Sequence, residues 1–598
     1  MSMLQLCRLC SLILSVSCAA LIASPRPAIA DSSPPIAQLA PEQGQVAPGE
    51  ETAAPEQSAQ DDKATPARPN KPLPDGDANS QLMVAEIARQ RGDVRAAAEA
   101  YAAAARLSAD PELAAQATRV AFEGGQIGSA AASARRWREL EPANADAHRY
   151  LAVSALRLHR VDESAQEFQW LLDETYPSPA EGFDDLTGVL VDEEDAYGAF
   201  QVMSKLAAQQ RKMPEAQHAL SVAALRAYNY EVAVSSARRA VGLKRDYVEA
   251  ERLLARALVV SGKDAEGLRI ARARATSAQD GPSRIEVVML LIASGKDSEA
   301  RKELEQLREM PDAKVEALRM LGSLELGAGR FDEATTHFKE LATTGRYVSL
   351  ALYSLGAIHE RRRDELGAIT YYARVASGPY AVDAQLRAAK LLALSDQREQ
   401  ANRLLDDFIA ENPESEAELV IGRARLLSDE GDAETALALI DTARERHPDA
   451  PELQYARALT LERLDRADDA IGELRELLAR RPNDPVALNA LGYTMAEHER
   501  DVKEAQDMIR RSLGMTPDNP AVQDSLGWAL FRNGDEKGAL KWLERAYATE
   551  KDAEIAAHIG EVLWAQGERT KARALWEKAL EDDPTHRYLL ETLRRHPE

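Results

Sequence analysis

Three cysteines, ten histidines and two short acidic runs are the raw material for chemistry in this chain of 598 residues. Cys7, Cys10 and Cys18 all lie at the N-terminus, and residues 19–598 hold none. A disulfide framework and a thiolate zinc site are therefore excluded from the rest of the chain. No two histidines stand at the i, i+4 spacing that lets one helix face grip a metal. His359, in His359-Glu360-Arg361-Arg362-Arg363-Asp364, and His498, in Glu497-His498-Glu499-Arg500, fall in charged turns and read as surface residues. The basic run Arg361–Arg363 meets Asp364-Glu365 at once, which reads as a solvated, self-paired helix end. Ser261-Gly262-Lys263-Asp264 and Ser294-Gly295-Lys296-Asp297 share a Gly-Lys pair with phosphate loops. They lack the upstream glycine and carry Asp where Ser or Thr would hold magnesium, so both read as turns. Asp184-Asp185 and Asp192-Glu193-Glu194-Asp195 could draw a cation but read as solvated helix ends. There is no Gly-x-Ser-x-Gly elbow. The expectation is a chain that is not an enzyme, with no metal and no cofactor.

The elements that carry these residues follow a beat. Pro413, Pro448, Pro482 and Pro517 are spaced 35, 34 and 35 residues apart, and Pro584 lies two periods further on. Ala401, Ala436, Ala470, Ala505, Ala539 and Ala572 keep the same time. A period near 34 marks a stacked array of helical hairpins, each too small to bury its own apolar face. One unit runs from Pro520 through Leu526-Gly527-Trp528 and Leu530 to the turn Asn533-Gly534, then Ala539, Leu543 and Ala546. Leu526 and Leu530 share a face at i, i+4, while Gly527 leaves room for the partner helix. The same grammar recurs at Leu491-Gly492-Tyr493, Ile559-Gly560 with Trp576, Leu321-Gly322 with Phe338, and Leu355-Gly356 with Tyr372.

These residues resemble the tetratricopeptide repeat, in which Leu-Gly, a small crossing residue, an aromatic and a closing proline recur every 34 residues. The resemblance is strong over 382–584, fair over 78–177 and 315–381, and weak over 178–314, where Ala233, Gly262 and Ala300 hold the phase. It implies an all-α fold: an α-α superhelix of about 15 hairpins from residue 78, closed by a capping helix over Arg587–Arg595. The expected divisions are degenerate N-terminal repeats to 314, a regular C-terminal array over 315–584 and a cap over 585–598. In the family the first helix of each hairpin lines a concave wall. Continuing that phase puts Asn489 and Tyr493, then Asp524, Trp528, Phe531 and Arg532, then His558, Glu561 and Trp564 along it. Aromatics beside amides and charges are what a peptide-binding hot spot uses, although Trp528 and Trp564 could equally be wedged between helices as core. The Lys/Asn/Arg clamp with which some family members hold a terminal carboxylate is not reproduced. The insert Glu497–Val502 lengthens one turn and is expected to project as a small loop.

Bulk composition narrows the partners. Ninety-eight acids against 74 bases give a formal charge of −24, with no basic stripe, which argues against nucleic acid. Arg8 precedes the apolar run Leu9–Ala23, and Ala28-Ile29-Ala30 offers a small-residue cleavage site before Asp31. Leu14-Ser15-Val16-Ser17-Cys18 is similar to the box at which bacterial lipoproteins are cleaved and lipidated. Two readings therefore stand: a signal peptide over 1–30, or a lipid on Cys18 that tethers the chain to the outer membrane. Residues 31–77 hold nine prolines and no helical period, which reads as a disordered linker. As a coil it would span roughly 40 Å. The block Leu488–Trp576 resembles exported proteobacterial tetratricopeptide proteins. In architecture the chain is similar to lipoprotein adaptors of a periplasmic carboxyl-terminal processing protease. That resemblance implies a periplasmic scaffold with protein partners: a serine protease that it recruits and activates, and cell-wall hydrolases that it presents for degradation. An assembly or secretion factor for envelope polysaccharide or outer-membrane proteins would use the same wall. An enzyme would have to hide its site in 178–314.

Overall fold

A computed structural model describes residues 77–596 except 92, 583 and 585; the predicted signal, the linker up to residue 76 and Cys18 lie outside the described residues. Within them the chain is all α, with no strand and 31 α-helices, from α1 (Ala78–Gln90) to α31 (Arg587–Arg595). Most successive helices pair into hairpins and the last helix closes the series, as the repeat implied. Most helices run 13 or 14 residues, and none is long and apolar enough to cross a membrane.

Local chemistry sets the boundaries. The recurring prolines fall between hairpins: Pro517 separates α26 (Val502–Met515) from α27 (Pro520–Arg532). Helix α27 starts with Pro at its first position, where a missing N–H costs nothing. Its cap, Asn519, accepts from the Ala521 and Val522 amides at 3.0 and 3.4 Å. Packing then follows the small residues. A methyl placed on Gly527 would lie 2.6 Å from Leu543 Cγ and 3.1 Å from the Ala539 carbonyl oxygen. Only glycine lets α28 (Glu536–Thr549) approach so closely. Ala539, Leu543 and Ala546 are all fully buried at that crossing.

The described residues divide into two compact units, one ending at Glu303 and one starting at Leu304. The first unit's core gathers Tyr101 with Trp137, and Phe168 with Phe183 and Leu206. Hairpins continue through 178–303, where α10 (Tyr230–Leu243) packs by Ala233, Ala237 and Ala240 in place of large consensus residues. The second unit's core gathers Phe338 and Leu355, then Tyr372, then Leu526, Leu543 and Ile559. In its last part the first helices of successive hairpins touch: α25 (Pro485–Glu497) on α27, α27 on α29 (Ala553–Ala565), and α29 on α31. They form a layer of their own.

The expected projecting loop is not there. Only residues 498–501 separate α25 from α26, with Glu499 and Asp501 in the left-handed region. Arg500 pairs with Asp468 at 2.9 Å and Glu499 with Arg532 at 2.6 Å, so ion pairs to both flanking hairpins hold the turn down.

Candidate functional site

The first-helix layer of the second unit's last hairpins presents polar and aromatic side chains on one stripe. Asn489, Tyr493 and Glu497 follow at four-residue steps on α25, and Asp524, Trp528 and Arg532 do so on α27. Glu554 and His558 continue on α29, and Tyr588 joins them from α31. Residues four apart lie one above another on a helix, so stacking four helices turns four stripes into one face.

His558 is its centre. The imidazole is fully buried and its Nδ1 sits 3.0 Å from both carboxylate oxygens of Asp524. Trp528 stacks on the ring at 4.3 Å between centroids, and Tyr588 meets it edge-on at 5.5 Å. Trp528 is only 2 % exposed, so it supports the imidazole rather than presenting its own face. Its indole N–H donates to Glu497 Oε2 at 2.6 Å. The Tyr493 hydroxyl donates to Glu554 Oε1 at 2.9 Å, reaching two hairpins along the chain. Phe531 packs against Trp528 at 5.4 Å. The Arg532 guanidinium lies 5.7 Å over the same indole and donates to the Glu497 carbonyl and Glu499.

The electrostatics agree with a ring of acids. Burial alone would push the His558 pKa down, yet Asp524, then Glu554 and Glu497, hold it above its ordinary value. Burial raises the Tyr493 hydroxyl, and the Glu554 charge adds to it. The Glu462 carboxyl, at the end of α23 (Pro451–Arg463), is likewise raised: burial comes first, and Glu497 and Glu554 push the same way against His498. Two buried polar atoms of this face, Asn489 Oδ1 and His558 Nε2, have no hydrogen-bond partner among the described residues.

Glu561 and Trp564 belong to a second group built with the closing helix. Glu561 receives His596 Nε2 at 2.7 Å and lies 3.2 Å from Arg595 Nη2. Trp564 stacks on Trp576 at 5.8 Å and meets His596 at 4.7 Å. The structure thus brings Tyr493, Asp524, Trp528, Phe531, Arg532 and His558 together. It keeps Asn489 one turn back on the same stripe and gives Glu561 and Trp564 to the cap. Sequence phase missed Glu462, Glu497, Glu554 and Tyr588. Glu497 and Glu554 stand four residues from Tyr493 and His558, so the same helical step would have found them.

Comparison with known proteins decides the family. Tetratricopeptide-repeat family profiles match residues 116–178, 288–348, 319–382, 421–485 and 498–554, and a second profile of that description matches 383–415. Together they cover more than half of the chain. The chain is a tetratricopeptide-repeat protein. Over 214 residues it is 33% identical to the TPR repeat-containing protein PA4667 of Pseudomonas aeruginosa, a match spanning 36% of each chain. The chain therefore aligns with only about a third of that relative's length. Among solved structures it is similar to Naa15/Naa10 bound to HypK-THB, at 13% identity and TM-score 0.36, over 87% of this chain and 99% of that one. It is also similar to TTC0263, a thermophilic TPR protein of Thermus thermophilus, at 23% identity and TM-score 0.27, over 29% of this chain and 94% of that one. The matched ranges leave out 179–287, where the repeat grammar is thinnest.

Elsewhere the repeat protein uses its charges for structure. The acidic run read as solvated is built in: Glu193 is buried against Arg157 at 2.8 Å, and Asp195 caps α8 (Ala196–Gln209) through the Gly198 amide. Asp185 accepts from Tyr176 and faces Arg149 at 3.5 Å. Arg362 reaches back 2.8 Å to Asp332 rather than pairing within its own run. Among the described residues no group of His, Cys, Asp and Glu could hold a metal ion.

Proposed function

We propose that this protein is a non-catalytic scaffold of the periplasm, an adaptor that holds other proteins on its stacked helices. The observation that carries the reading is the face of Tyr493, Glu497, Glu554 and their neighbours. It is a partly exposed strip of acids and aromatics. Solenoids offer long binding surfaces at little cost in folding, and aromatic anchors beside polar groups supply most binding energy at such surfaces. The partners are a carboxyl-terminal processing serine protease, which the scaffold recruits and activates, and cell-wall hydrolases delivered to it. The apolar run after Arg8 and the small residues before Asp31 support export, and Cys18 in its lipoprotein-like box supports an outer-membrane tether. The mechanism is proximity: holding enzyme and substrate on one short-linked body raises effective concentration to about the millimolar range.

Reconstitution tests it. A protease of this class and a cell-wall hydrolase are incubated with and without the purified scaffold, and cleavage is followed by gel. The expected result is faster cleavage that depends on scaffold concentration and declines at excess, when the partners occupy separate copies. Equal rates with and without the scaffold would refute the adaptor role. Mass spectrometry of the mature N-terminus reads the tether directly, as a lipid on Cys18 or a free Asp31.

A further inference from the structure

An open groove of about 460 Å³ lies in the first unit between α4 (Ile127–Leu140), the start of α5 (Ala145–Arg157) and the end of α6 (Val161–Glu174). Its partly exposed aromatic is Trp170. The ring of the buried His148 stacks on that indole at 3.6 Å between centroids and 8° between planes. Both imidazole nitrogens are tied, since Nδ1 lies 2.6 Å from Glu167 Oε2 and Nε2 3.0 Å from the Pro142 carbonyl oxygen. Glu167 also accepts from Arg138. The platform under Trp170 is therefore fixed before anything binds. The indole N–H groups of Trp137, Trp528 and Trp576 donate inside the protein. That of Trp170 meets no acceptor among the described residues. A rigid indole with its donor unspent, beside Pro142 in an open groove, is a setting that takes proline-rich chain. Such chain adopts polyproline II, whose backbone makes no internal hydrogen bonds and so offers its carbonyls.

The chain itself holds such a segment close by. Pro66, Pro69 and Pro72 stand three residues apart, followed by Pro74. Three residues make one turn of polyproline II, so that conformation puts the three prolines on one edge and Arg68 with Lys71 on the next. Glu139, on the rim of the groove and more than half exposed, is a carboxylate those bases can meet. The reach is sufficient. Asp77 caps the start of α1, and Pro72 and Pro66 stand five and eleven residues before it. At about 3.3 Å per residue they reach roughly 17 and 36 Å from Asp77. Helices pack about 8–10 Å apart, so the two hairpins from α1 to α5 span roughly 20–40 Å. A hairpin brings the end of its second helix beside the start of its first, as the stack of Trp170 on His148 shows. Trp170, four residues before the end of α6, thus lies on the side of the array where α1 begins.

We infer that this groove is the docking site of the chain's own residues 66–74, bound as polyproline II with prolines against Trp170 and a backbone carbonyl accepting from its indole N–H. The site goes beyond the scaffold reading and does not rest on it. It pins the end of the linker across the first hairpins of the array. Because the segment is tethered, its effective concentration is about millimolar, and an affinity in that range keeps the groove filled.

Photo-crosslinking of the full chain tests it, with benzoylphenylalanine in place of Asn70 and the crosslinked peptides mapped by mass spectrometry. The expected crosslinks fall on peptides spanning 138–170, within one molecule and at a yield independent of protein concentration. Their yield should drop tenfold or more when Pro66, Pro69 and Pro72 are all changed to alanine, and also in Trp170→Ala. The proline changes lie outside the array, so they test the claim on an unaltered groove. Crosslinks scattered over the array, or groove crosslinks indifferent to the proline changes, would overturn the inference. Groove crosslinks formed only between molecules would overturn it too, and would assign the groove to the segment of a second copy.

Discussion

Replacing Gly560 by alanine tests the packing that positions the candidate face. The new methyl would stand 1.9 Å from Nε1, 2.3 Å from Cε2 and 2.7 Å from Cδ1 of Trp576. That indole is fully buried, so the ring must move by about 1.5 Å to restore an ordinary contact. Moving it breaks the 3.2 Å bond from Nε1 to the Ala557 carbonyl, worth about 1 kcal/mol. Overpacking a filled core costs about 1–3 kcal/mol more. Against this, alanine gains about 1 kcal/mol over glycine inside a helix. The net loss is about 1–3 kcal/mol, and it falls on α30 (Arg569–Asp582) and on the closing helix, whose His596 stacks on Trp576 at 5.4 Å. Gly472 is the control: it lies inside α24 (Ala467–Arg480) with nothing within 4 Å of a new methyl, so Gly472→Ala keeps the gain and meets no clash. Because a repeat array opens locally, hydrogen exchange by mass spectrometry is the assay. A local loss of about 2 kcal/mol speeds exchange roughly 30-fold. Segments over 569–595 should exchange faster in Gly560→Ala, whereas exchange around α24 should be unchanged or slower in Gly472→Ala. Identical behaviour of the two variants would refute the close-approach argument.

Two further outcomes follow from the same hairpins. His558 has a folded-state pKa above its ordinary 6.5, so its stabilisation is complete below that pH and is lost as pH rises through the folded value. The raised Glu462 carboxyl acts in the same direction, since its ionisation is harder in the folded protein. Exchange protection over α29 should therefore fall as pH rises above 6.5 after correction for intrinsic rates, and His558→Gln should flatten the histidine's part; a pH-independent profile in the parent protein counts against the buried imidazolium. Asn519→Ala should cost about 1 kcal/mol by removing the cap of α27, read as faster exchange in its first turn, whereas Asn519→Asp should be close to neutral.

How far the sequence could be read depends on the range of each interaction. The number of hairpins and the closing helix at Arg587–Arg595 follow from a period, and a period survives substitution of large residues by Ala233, Ala237 or Ala240 as long as volumes still fit. The face was legible only as a set of phases. Phase places Trp528 on the correct helix side but does not say that His558, one repeat later, will cover it. It could not foretell that Tyr493 reaches Glu554 two hairpins on, because that contact depends on how tightly α25, α27 and α29 stack. Yet a rule does emerge from the pairs themselves. Arg463 with Asp429, Arg252 with Glu286, Arg595 with Glu561 and His558 with Asp524 are each one repeat apart. In a stacked array the position one repeat away is the neighbour across the layer, as the position four away is within a helix. Applied to Glu193, the rule points near Arg157 and corrects the reading of that acid as solvated. Applied to Glu554 it meets Pro520 and Tyr588, and applied to Glu462 it meets Ser428 and Ala496. Glu462 nevertheless finds His498 at the same offset as Arg157 to Glu193, and Glu554 turns instead to the Tyr493 hydroxyl. The rule therefore finds partners across one layer but not the contact from Tyr493 to Glu554, which spans two repeats and depends on how the first helices stack.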